Sequence, residues 1–187
     1  MSGASVRDRA ALVECALEHG VHVVLDADAL TLLAADVTLF AGLHDKCVLT
    51  PHAGEFARLF PDISEKLKAA VATGSKYTKA YATREAATRA GCTVLFKGPD
   101  TVIAHPDGRC SNDADKENRA APWLATAGSG DVLAGFITGL IARGFDPFQA
   151  AETATFLHTE CALRFGAGLI AEDIPEQLPD VFRALGV

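Results

Sequence analysis

Residues 125–144, ATAGSGDVLAGFITGLIARG, join a run of very small residues to a single acid and then to an apolar pattern with helical spacing. Ala127, Gly128, Ser129 and Gly130 let backbone N–H groups approach a ligand closely, and a helix beginning there adds unpaired donors and partial positive charge. Such a turn suits an anion. Asp131 follows directly, and a carboxylate beside phosphate oxygens is repelled unless a metal ion or a transferable proton intervenes. A general base for a hydroxyl attacking phosphorus fits that position; so does an ordinary first-turn acid bonded to helix N–H groups.

The other groups able to do chemistry stand where apolar strands end. VHVVL (21–25) runs into Asp26 and Asp28, CVLT (47–50) into His52 with Glu55 three residues on, and CTVLF (92–96) into Lys97 and Gly98. The carboxyl ends of strands form the rim on which α/β folds bind ligands. Each group also has a plain structural reading. Asp26 and Asp28 can be turn acids, His52 a satisfied polar residue before a helix, and Lys97 a surface lysine whose stem covers apolar area.

Positioning these groups requires helices and strands in alternation, and the pattern predicts them. Helices are predicted over 6–19, in one or two short pieces over 29–44, over 54–60, over 64–73 with Ser64 as cap, over 75–89, from about 129 to 143, and over 147–165. A last apolar stripe, over 172–185, is predicted to break after Leu178 at Pro179. TVIAH (101–105) pairs with the third strand, and 110–119 has a loop's composition. Asn112, Asp113 and Asp115 lack the glycine and closing glutamate of a calcium loop. His158 and Glu160 read as structural or exposed.

The 187 residues, 49% hydrophobic and 22% charged, describe one globular domain over 1–187. A net charge of −7 disfavours nucleic acid or an anionic membrane as partner. Without a leader or a long apolar run a cytoplasmic location is expected. The five cysteines are scattered, with neither a disulfide frame nor a zinc spacing, and read as reduced and mostly core.

Taken together, VLDADAL (24–30), LTPHAGEFARL (49–59), LFKGPDTVIAHPDG (95–108), residues 124–151 and GLIAEDIPEQLP (168–179) strongly resemble the NAD(P)H-hydrate dehydratase family of the ribokinase-like superfamily. The resemblance implies a three-layer α/β/α fold with a mostly parallel central sheet. It implies repair of hydrated NADH and NADPH, with ADP or ATP donating a phosphoryl group to the ring hydroxyl and phosphate elimination restoring the double bond. Asp131 would be the base, and Ala127, Gly128, Ser129 and Gly130 an anion hole. Lys97 and Gly98 would lie by the nucleotide phosphates, while Asp28, His52, Glu55 and Asp131 would line the hydrated cofactor. Magnesium is expected from the chemistry, without an assigned protein ligand.

Three departures stand out. Ala127 replaces the first of two common glycines, a change tolerated if the local φ is negative. Ala121 stands where an asparagine is usual, so that role is not transferred. The family domain carries about one hundred further residues at its amino end, so that this chain matches its carboxyl-terminal two thirds. Such a chain is expected to form a homo-oligomer or to borrow the remainder from another chain. The alternatives are a nucleotide-binding remnant without turnover and a ribokinase-like small-molecule kinase.

Overall fold

The structure, a computed structural model, describes residues 6–112 and 120–187. Ten α-helices, five strands and one 3-10 turn occur among them. Strands β1 (Val23–Leu25), β2 (Cys47–Leu49), β3 (Thr93–Phe96), β4 (Val102–Ala104) and β5 (Cys110–Asn112) form one sheet in that spatial order. The pairs β1–β2 and β2–β3 are parallel, whereas β3–β4 and β4–β5 are antiparallel. The sheet is therefore mixed and not mostly parallel. The reason is local: β3, β4 and β5 follow one another through short turns, and short connections can only reverse the chain. Residues 110–112, expected to open a loop, instead supply the edge strand, while the rest of that segment lies outside the described residues.

Alternation along the strands sorts the core into two faces. Cys47, Leu49, Val94 and Phe96 join one apolar cluster, while Val48, Leu95 and Ile103 join the other. The first face is covered by α1 (Val6–Glu18), α2 (Asp28–Ala35), α3 (Val37–Ala41), α4 (Ala53–Leu59), α5 (Pro61–Thr73) and α6 (Lys79–Ala90). The second is covered by α7 (Ser129–Ala142) and α8 (Pro147–Phe165), beyond which α9 (Asp173–Glu176) and α10 (Leu178–Leu185) pack on α8. These are the three layers of a ribokinase-like α/β fold.

Helix boundaries show which local signals carry weight. Gly74 and Gly91 end α5 and α6 in the left-handed conformation, as glycine at those positions predicts. α5 begins earlier than expected, because Pro61 occupies its first turn and Ser64 is buried inside it rather than capping it. The break near the carboxyl end falls at Gln177, since Pro179 is accommodated in the first turn of α10. Three of the five free cysteines, Cys47, Cys92 and Cys161, are fully buried. Among the described residues no helix is long and apolar enough to cross a membrane.

Candidate active site

Because β1, β2 and β3 are parallel neighbours, the residues following them share one rim of the sheet. Backbone bonds hold that rim in register: Thr50 N donates to Leu25 O at 3.2 Å, and Lys97 N donates to Pro51 O at 2.8 Å. Across it, Lys97 Nζ bonds Asp26 Oδ1 at 2.8 Å, with both side chains largely buried at 19% and 14% exposure. A Cβ built on Gly130 would lie 3.3 Å from Lys97 Nζ and 3.8 Å from Asp26 Oδ2. Glycine at 130 thus lets the first turn of α7 close against the ion pair. The end of β1, the end of β3 and the start of α7 meet there.

The α7 turn is built from several independent constraints. Gly128 is its N-cap with φ of 85°, a conformation that favours glycine, and a Cβ there would stand a tight 3.0 Å from that of Ala171. Ala127 keeps a negative φ, because Ala27 is the one positive-φ residue other than glycine among the described residues. The methyl group at 127 is therefore accommodated without strain. The Ser129 hydroxyl donates to Leu124 O at 2.7 Å, tying the 3-10 turn Pro122–Leu124 to the helix. An N-cap without a side chain leaves the first N–H groups of α7 uncovered by a cap. Asp131, in that first turn, is exposed.

His158 of α8 supports the same turn from below. It is 6% exposed, and its Nε2 lies 2.9 Å from Ser129 O, the geometry of an imidazole N–H donating to a carbonyl. Burial lowers its pKa to about 4, and the bond to Ser129 opposes that only in part. Phe136 packs against the ring edge-on, with centroids 6.2 Å apart. The structural reading of His158 is what the fold displays; a lone histidine in an apolar stripe carries no signal of which backbone atom it will meet.

The remaining sequence candidates are placed as follows. Asp28 starts α2, has a side chain 70% exposed, and pairs with Arg9 of α1. Asp26, two residues earlier, takes the strand-end position; Ala27, with φ of 48°, turns the chain sharply between them. Finding Asp26 from sequence required only counting to the first polar residue after the strand. His52 caps α4, its Nδ1 accepting from Gly54 N at 2.9 Å and from Glu55 N at 3.4 Å, which leaves Nε2 as the proton-bearing nitrogen of a neutral ring. Glu55 is 6% exposed, and its Oε2 accepts from His52 N at 2.8 Å. The two therefore form a reciprocal capping box, and Glu55 Oε1 stands 3.5 Å from His52 Nε2, so both carboxylate oxygens face His52.

The sequence model of the family described as NAD(P)H-hydrate dehydratase matches residues 3–180. A bifunctional NAD(P)H-hydrate repair enzyme of Moorella thermoacetica is 38% identical over 171 residues, covering 88% of this chain and 30% of that protein. An ADP-dependent (S)-NAD(P)H-hydrate dehydratase of Xanthomonas campestris is 38% identical over 188 residues, covering 97% of this chain and 59% of that protein. The ADP/ATP-dependent NAD(P)H-hydrate dehydratase of Bacillus subtilis, co-crystallised with ATP and Mg2+, superposes with a TM-score of 0.66 at 31% identity, over 87% of this chain and 54% of that one. A ribokinase-like superfamily protein of Enterococcus faecalis shares the fold, with a TM-score of 0.73 at 23% identity over 97% of this chain and 60% of that one. The chain spans less than two thirds of the length of each of these relatives. With its rim, its α7 turn and a family match over nearly its whole length, the chain belongs to the NAD(P)H-hydrate dehydratase family.

Proposed function

We propose that residues 1–187 form a single ribokinase-like unit carrying the phosphoryl-transfer half of an ADP-dependent (S)-NAD(P)H-hydrate dehydratase. The observation that carries this reading is the Lys97–Asp26 pair closed against Gly130, with Asp131 one residue further along α7. A phosphate of the nucleotide would share the Lys97 ammonium and the uncovered N–H groups of the α7 turn, with Gly98, Ala127, Gly128, Ser129 and Gly130 giving the approach its clearance. The hydrated nicotinamide would lie toward His52 and Glu55, with Asp28 at the outer margin.

Asp131 takes the proton of the ring hydroxyl as its oxygen accepts the phosphoryl group from ADP, which leaves as AMP. Departure of phosphate from that ring carbon, with loss of a proton from its neighbour, restores the nicotinamide double bond. No three His, Cys, Asp or Glu side chains gather into a metal site among the described residues. A magnesium ion fits this donor set as an ion carried on the nucleotide phosphates, where it would neutralise charge during transfer.

The test is recovery of reduced-nicotinamide absorbance from freshly prepared hydrated NADH on mixing with this chain, ADP or ATP, and magnesium. Asp131→Asn is expected to lower turnover by about a hundredfold or more while ADP affinity changes by less than about threefold. Turnover equal to wild type would remove Asp131 from the mechanism. The second reading is nucleotide binding without turnover. Folded protein that binds ADP but never restores absorbance would establish that reading instead.

A further inference from the structure

The loop that presents Lys97 is organised by a residue with no evident chemical pattern around it in the sequence. Lys79 is the first residue of α6, and its side chain is only 15% exposed. Its Nζ donates to Asp100 O at 2.6 Å and to Lys97 O at 3.3 Å, and pairs with Asp100 Oδ1 at 3.0 Å. It also sits 4.4 Å from the centre of the Phe96 ring, within range of a cation–π contact. An ammonium has three N–H groups, and three oxygens of one loop engage them. Unlike Lys97, it keeps no donor for a ligand. Desolvation draws its pKa below the ordinary lysine value, and the Asp100 carboxylate opposes that shift.

Gly98 is shaped by the same contact. A Cβ on it would stand 2.7 Å from Lys79 Nζ. The end of a free lysine would swing aside, but this one is bonded on three sides, so a methyl group must break a bond or shift the loop. The glycine of the Lys97-Gly98 pair thus makes room for another side chain as well as for any phosphate.

We propose that Lys79 is the positioning residue of this site: its ammonium fills the centre of the 97–100 loop, fixes the carbonyl of Lys97, and so sets the path of the Lys97 side chain toward Asp26 and Gly130. This rests on the reading that Lys97 contacts a nucleotide phosphate.

The experiment compares wild type with Lys79→Met, which keeps the apolar stem over Phe96 without its donors, and with Lys97→Met, each titrated calorimetrically with ADP after circular dichroism has checked folding. Lys79→Met is expected to weaken ADP binding by about tenfold or more although it removes no ligand contact. Wild-type-like affinity in Lys79→Met beside a loss in Lys97→Met would overturn the positioning role and leave the phosphate reading standing. Absence of ADP binding by wild type would sink the phosphate reading instead. The loop is tested separately by denaturation of Gly98→Ala, Lys79→Ala and the double variant. The loss caused by Gly98→Ala is expected to shrink when Lys79 is already alanine, and fully additive losses would show that Lys79 does not organise the loop.

Discussion

The imidazole of His158 is neutral in the folded protein, since its pKa there is about 4 against an ordinary value of 6.5. Its sign follows from proton counting. Between those values the unfolded chain binds the proton and the folded one does not, so the stabilisation is full above about pH 6.5 and is lost as pH falls toward 4. The span corresponds to at most roughly 3 kcal/mol. Urea denaturation at pH 7, 5.5 and 4 should show that loss in wild type, and a smaller one in His158→Phe. Equal slopes in the two proteins would mean that His158 does not titrate on unfolding. At this scale the sequence located Lys97 and Asp131 through their neighbours. It also offered Asp26 as a rim acid but not its partner Lys97, 71 positions away, and Lys79 escaped it altogether, because what marks that residue is a partner 21 positions away.

Helix α4 shows how a cap can orient a side chain. Its capping box holds His52 N on Glu55 Oε2 and Glu55 N on His52 Nδ1, so the orientation of the histidine and the start of the helix are one construction. Glu55→Ala removes the buried acceptor and is expected to cost about 1–2 kcal/mol by chemical denaturation, with Glu55→Gln closer to wild type. A loss below the error of the measurement would show that the box contributes nothing. The i, i+3 spacing of His and Glu is legible in the sequence and fits either two groups on one side of a ligand or a polar residue satisfied before a helix; the structure adds the reciprocal bonds of a capping box. Glycine stops and strand runs were equally legible, since they act within a few residues. The start of α5 was less so, because Pro61 reads equally well as a break and as a first helical residue.

Across the molecule, the proposed site brings together the ends of β1 and β3 and the start of α7, which belong to both halves of the chain. A ligand bound there would tie those halves and stabilise only the folded form. At ADP about a hundredfold above its dissociation constant the gain is roughly 2.7 kcal/mol, which for a domain of this size raises the melting temperature by about 5–10 °C. Thermal melts with and without ADP measure this directly, and the shift should vanish in Lys97→Met. An unchanged melting temperature at saturating ADP would mean that the nucleotide binds elsewhere or not at all.

Sequence alone determined the alternation of helix and strand, the small-residue turn before Asp131 and the family, because each is written in residue types at short spacing. Only the tertiary structure decided that the sheet is mixed, that Asp26 rather than Asp28 meets Lys97, that His158 bonds Ser129, and that Lys79 fills the Lys97 loop. Those facts depend on strand order and helix packing, which bring distant residues within 3 Å or so of one another, and no local periodicity encodes which pair will meet.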